Sequence, residues 1–192
     1  MNSKNFTIKK IKKRYDIQTL RGLAVLFIVL YHFSPEVFPN GYLGVDIFFI
    51  ISGFTISNLL YSKLAINDLN ILEFFKQRFF RIFPSLISFV IFTQILAYFV
   101  LDHLFIYQTS LANLFSLISI SNVYFANITN YFEQNSLQIL NINLWSLSVQ
   151  KQFYIVMPFL VLVTKRFSFK GKNIFFIFLF LLSTLFFIPN IF

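Results

Sequence analysis

Thr19–Phe33 reads TLRGLAVLFIVLYHF, an apolar run interrupted by one Arg at its start and one His near its end. At 3.6 residues per turn, the eleven steps from Arg21 to His32 come to just over three turns, so a helix here puts both side chains on one face. Along the axis they lie about 16 Å apart. A cation at one depth and a titratable imidazole at another can line one groove through a bilayer leaflet, long enough for an extended ligand.

The surrounding 192 residues are 57% hydrophobic and only 12% charged, with a mean hydropathy of +0.73, far more apolar than an ordinary soluble domain. This is the composition of a membrane protein. Thirty Phe and nine Tyr against one Trp say little about chemistry. The absence of Cys excludes disulfides, thiolate metal sites and a Cys nucleophile, and two His far apart make poor metal ligands. The net charge of +9 sits in clusters beside apolar runs, where it sets orientation and attracts anionic headgroups; no solvated basic domain or reading motif points to nucleic acid. Lys9–Arg14 precede the first apolar run as in a signal peptide, but no small-residue cleavage site follows and more apolar runs come later, so the run reads as a retained span.

Taken in order, residues 1–16 form a basic lead expected in the cytoplasm. A first span follows over Leu20–Phe38, closed by a turn at Pro35, Pro39, Asn40 and Gly41. A second covers Tyr42–Tyr61 and carries Asp46, a charge that hydrocarbon tolerates only beside a partner or water. A third is expected over Ile82–Leu101, with Pro84 in its first turn, where the missing N–H costs little. Leu104–Ile120 is apolar but dotted with Gln, Thr, Ser and Asn. The positive-inside rule favours an interfacial or re-entrant segment there, because a crossing would move the Lys165–Lys172 cluster outside. Spans from Trp145 or Phe153 to Thr164 and from Asn173 to Ile188 complete an all-α, multi-pass transmembrane helical bundle. It has about five spans plus one interfacial or re-entrant segment, in one membrane domain over 1–192.

Each candidate residue has a structural and a functional reading. Arg21 is either a boundary residue snorkelling to headgroups or an anion clamp, since guanidinium matches phosphate with paired hydrogen bonds. His32 is either a buried His donating to a carbonyl or a base kept neutral by desolvation. Arg78 and Arg81, three apart in QRFFRIFP, anchor the chain or present two cations on one face to a phosphate. Asp46 either pairs with a nearby cation or orients His32 across the helix pair.

Four runs occur in order: LRGLAVLFIVLYH, GYLGVDIFFIISGF from Gly41 to Phe54, RFFRIFP from Arg78 to Pro84, and LWSLSVQKQFYIVMP from Leu144 to Pro158. Together they resemble the acyltransferase-3 family of membrane O-acyltransferases. The resemblance implies a bacterial cell (inner) membrane enzyme with a cytoplasmic N-terminus. It would move an acyl group, usually acetyl, from cytoplasmic acyl-CoA to a hydroxyl of a cell-surface glycan, with the donor as substrate and no permanently bound cofactor or metal. Carried over, His32 would be catalytic with Asp46 beside it. Arg21 would contact the donor, Arg78 and Arg81 would match the family's paired arginines, and Trp145 would join the substrate-binding set. Two departures stand out. The family's WSLSV is usually followed by two Glu, whereas Gln150 and Lys151 stand here, and neither can act as a carboxylate. The family's members also run well beyond this length, so the chain resembles an N-terminal half, and a second polypeptide supplying further spans is an expected partner beside lipid bilayer, acyl-CoA and glycan. The competing readings are an impaired remnant or partner subunit, motivated by Gln150 and Lys151, and a transporter, motivated by intramembrane Arg, Asp and His.

Overall fold

The computed structural model describes residues 14–128 and 140–187, and these are helical, with no strand among them. Seven α-helices follow one another: α1 (Tyr15–Phe33), α2 (Gly44–Ala65), α3 (Ile71–Val100), α4 (His103–Leu117), α5 (Ser121–Ile128), α6 (Leu144–Val163) and α7 (Phe169–Phe187). The basic lead before Arg14, residues 129–139 and residues 188–192, among them the expected span end at Ile188, lie outside the described residues.

Four segments, containing α1, α2, α3 and α6, are long and apolar enough to cross a bilayer. Between 6% and 39% of their apolar windows is buried in protein, leaving runs such as Leu23, Val25, Leu26 and Val29 uncovered. Such faces need an apolar surrounding, and bilayer hydrocarbon supplies it; the chain is a multi-pass membrane protein. The 15 residues of α4 span about 22 Å, short of a hydrocarbon core of about 30 Å.

Several boundaries differ from the sequence reading, each for a local reason. The first helix begins at Tyr15 rather than Leu20 and stops at Phe33 rather than Phe38. Pro35 explains the early stop, since it drives the preceding Ser34 out of the helical region, to φ −149° and ψ 80°. The third helix begins eleven residues before Ile82. Asn70 caps it, its side-chain oxygen accepting from the Glu73 N–H at 3.1 Å, and Pro84 falls in the interior of 30 helical residues. There it leaves the Phe80 carbonyl without its usual donor. Ser121–Ile128, for which the sequence reading gave no helix, form α5. Helices α2 and α4 both end in a Schellman turn, with Asn67 (φ 56°) and Ser119 (φ 68°) left-handed where glycine is usual.

The described residues group into two compact units, divided inside α2 after Thr55. In the first, α1 runs antiparallel to the start of α2 over two glycines. A Cβ on Gly41 would lie 2.4 Å from the Phe27 carbonyl oxygen, and one on Gly44 would lie 2.4 Å from that of Ala24. Only Gly permits this approach of backbone to backbone.

In the second unit, Ile56 and Leu60 pack with Phe74 and with Tyr154, Met157 and Val161 of α6. A buried polar chain ties the rest together. The Asn141 amide donates to Thr93 Oγ1 at 2.7 Å and to Asn113 Oδ1; Asn113 donates to Gln94 Oε1 at 2.9 Å, and Gln94 to Ser110 Oγ at 2.8 Å. The polar residues dotting α4 therefore face protein, which is why so apolar a helix tolerates them.

Candidate active site

Because α1 is unbroken from Tyr15 to Phe33, Arg21 and His32 stand about 20° apart around its axis. Both fall on one flank of the stripe that meets α2, about 60° and 80° round from Ala24. The shared face expected from the sequence is present. Arg21 is held: its Nη2 donates to Ser52 Oγ at 3.2 Å, and its guanidinium lies over the Phe48 ring, 5.6 Å from the centroid. This is packing against a neighbouring helix, not snorkelling. Its Nε is buried and has no hydrogen-bond partner among the described residues, so the guanidinium keeps a donor for an anion.

His32 is exposed at the last turn of α1, with its ring edge-on to Tyr31 at 5.4 Å. Among the described residues its nitrogens make no hydrogen bond, so the buried, carbonyl-bonded reading of this histidine does not hold. Asp46 is not brought to His32. It lies two residues past Gly44, about 200° round α2 and so on the side away from α1, exposed and without an ion pair among the described residues. An apolar cavity of about 380 Å³ adjoins the end of α1, lined by Phe27, Phe38, Pro39, Leu43 and Ile47, on the opposite flank from His32.

In the second unit the paired arginines part company. The early start of α3 carries both inside a helix. Arg78 is half-buried, its guanidinium 5.5 Å from the Phe74 ring and 5.7 Å from that of Tyr154 on α6. Arg81 is exposed and engages no side chain among the described residues. Trp145 is half-buried against Ala112, Phe125 and Ile142, a packing position at the start of α6.

The residues in place of the two Glu have structural partners. Gln150 donates to the Tyr154 hydroxyl at 2.7 Å, and Lys151 Nζ donates to the Ser116 carbonyl at 2.7 Å, at the C-terminal end of α4. Sequence reasoning missed what Lys151 and Arg78 share: both line a cavity of about 190 Å³ walled by Phe75, Phe79, Phe83 and Tyr154. Only the neighbourhood of α3 and α6 reveals it, and the sequence carried no signal for that neighbourhood.

A family model described as an acyltransferase domain matches residues 14–192. The chain is 32% identical over 182 residues to the O-acetyltransferase OatA of Staphylococcus aureus, covering 91% of this chain and 29% of that protein. It is 33% identical over 151 residues to the peptidoglycan O-acetyltransferase OatA of Listeria monocytogenes, covering 77% of this chain and 24% of that protein. It thus spans less than a third of the length of these curated relatives. No solved structure matches it. Matched from Arg14 onward, and carrying the four runs in order, the chain belongs to the acyltransferase-3 family.

Proposed function

We propose that the chain is the membrane part of an O-acetyltransferase that moves acetyl from cytoplasmic acyl-CoA to a hydroxyl of the cell-wall glycan, in the bacterial cell membrane with its N-terminus inside. The observation that carries this reading is the common flank of α1, where a guanidinium with a spare donor and an imidazole with both nitrogens free stand about 20° apart. Family membership and the relatives' names supply the reaction class.

In the step proposed, His32 takes the proton from the acceptor hydroxyl as its oxygen attacks the thioester carbonyl. The C–S bond breaks, and the proton passes to the departing thiolate, giving acetyl ester and free CoA. Arg21 holds an anionic group of the donor; Arg78 and Arg81 are phosphate-binding positions of their own unit. Ser52 and Phe48 orient Arg21 before any ligand arrives.

The test compares acyl-CoA-dependent acetylation of peptidoglycan by membranes carrying the wild type or His32→Ala. Loss of at least about a hundredfold, the lower range for a general base, is expected. Equal rates would refute the assignment. A second reading, an impaired subunit, is favoured by Gln150 and Lys151 standing in place of carboxylates and by their structural hydrogen bonds. It predicts wild-type membranes without activity even when the protein folds.

A further inference from the structure

Gln94, near the end of α3, donates to Ser110 and accepts from Asn113, so α4 runs antiparallel to α3. The 15 residues of α4 cover about 22 Å, against about 45 Å for the 30 residues of α3, so α4 stops about halfway along its neighbour. The chain then reverses. Ser121 pairs with Ser148 at 2.7 Å, and Phe125, one turn later, packs with Ile142 beside Trp145, so α5 runs back toward the start of α6. Past the turn, α6 continues from Gln152 to Val163, about 16 Å. Two helices long and apolar enough to span a bilayer therefore run on beyond the Ser116–Ser121 turn.

Non-helical backbone survives at such depth only where protein covers it or a cavity meets it. Here α6 supplies a row of donors to the turn. Lys151 Nζ donates to the Ser116 carbonyl at 2.7 Å, and Gln152 donates to the Ser119 carbonyl at 2.8 Å and to Asn122 Oδ1 at 2.9 Å. Ser119 also borders the half-open cavity beside α3. Lys151 is the charged member of the row, and its ammonium meets the C-terminal end of α4, where aligned peptide dipoles leave partial negative charge. This contact accounts for a cation in so apolar a helix.

We infer that α4 and α5 form a re-entrant hairpin, entering the bilayer from the side where α3 ends and α6 begins, and that Lys151 latches its tip inside the membrane. The hairpin and its latch hold whether or not the chain transfers acetyl.

The absence of Cys allows a clean test. Single-Cys variants Asp102→Cys, Ile118→Cys, Asn127→Cys and Lys170→Cys, all at exposed positions, are treated with a membrane-impermeant maleimide in right-side-out and inverted vesicles. The reagent needs a thiolate, which forms in water and not in hydrocarbon. Asp102→Cys and Asn127→Cys are expected to label from one face, Lys170→Cys from the other, and Ile118→Cys, at the tip, from neither. Labelling of Asp102→Cys and Asn127→Cys from opposite faces would mean that the segment crosses, and overturns the hairpin; a tip that labels as fast as Asp102→Cys overturns its placement in the bilayer. The latch is read by combining Ile118→Cys with Lys151→Glu, which sets a carboxylate against the negative end of α4, with Lys151→Met, which removes charge and donor together, or with Lys151→Arg, which keeps both. Labelling at least about tenfold faster is expected with Glu and with Met, and a rate near that of the unsubstituted latch with Arg. Lys170→Cys labelling from its own face confirms that each variant is inserted; should Lys151→Glu fail this control, Lys151→Met decides. Unchanged labelling of the tip in Lys151→Met overturns the latch.

Discussion

Replacing Gly44 with Ala adds one methyl group where the first unit has no room for it. Its Cβ would sit 2.4 Å from the Ala24 carbonyl oxygen and 2.8 Å from Ile28 Cγ1. Ile28 can rotate away; the Ala24 carbonyl is helix backbone and cannot. Ordinary contact begins near 3.4 Å, so α1 and α2 must separate by about 1 Å (3.4 minus 2.4). Forcing a methyl into a packed contact costs about 1–3 kcal/mol. The same movement stretches the 3.2 Å hydrogen bond from Arg21 to Ser52 beyond bonding length, so the guanidinium loses its orientation although no proposed site residue has changed. Gly22→Ala is the control. A Cβ there meets nothing within 4 Å, and an exposed helical Gly→Ala stabilises by about 0.5–1 kcal/mol. Reversible unfolding in mixed micelles should therefore move in opposite directions for the two variants, and acetyl transfer should fall only for Gly44→Ala. The Gly41→Ala, Gly44→Ala double variant should cost less than the sum of its parts, because one separation relieves both clashes. Equal stability changes for Gly22→Ala and Gly44→Ala, or strict additivity of the double variant, would refute this account of the contact.

Two further outcomes follow from the second unit. Asn113→Leu removes the acceptor for Asn141 and the donor to Gln94, and should destabilise by about 1–2 kcal/mol in the same assay, since interhelical hydrogen bonds in membranes are worth roughly 0.6–2 kcal/mol each; an unchanged midpoint would show that the buried polar chain is not holding α3 and α4 together. Ser119→Gly relieves a left-handed residue at φ 68° without touching the backbone carbonyl that accepts from Gln152, so a gain of about 0.5–1 kcal/mol is expected, and a loss would mean that the serine side chain matters there.

The all-helical membrane fold and the alignment of Arg21 with His32 were legible because both follow from an uninterrupted apolar run, whose period needs no knowledge of neighbours. The expected start of the third span at Ile82 lies eleven residues inside α3, because Lys76, Arg78 and Arg81 interrupt the apolar run before it. Asn70 and Glu73, a cap followed by an acidic residue three positions on, were the local signal for the true start. Asn113 and its polar neighbours on α4 could equally have faced water, and only the arrival of Asn141 settles that they do not. Arg78 and Arg81 looked equivalent at spacing three, yet one turns to Tyr154 and the other to the surroundings, a distinction made by α6 and invisible in RFFRIFP itself.

The unbroken course of α3 through Pro84 has a kinetic side. Eight residues in from its Asn70 cap, Arg78 rides on a rigid rod whose position is set when the chain folds, and the rings of Phe74 and Tyr154 restrain its swing. If Arg78 holds an anion as proposed, the visitor would meet a cation already in place, with no segment left to order during the encounter, and occupancy would be governed by how quickly it leaves.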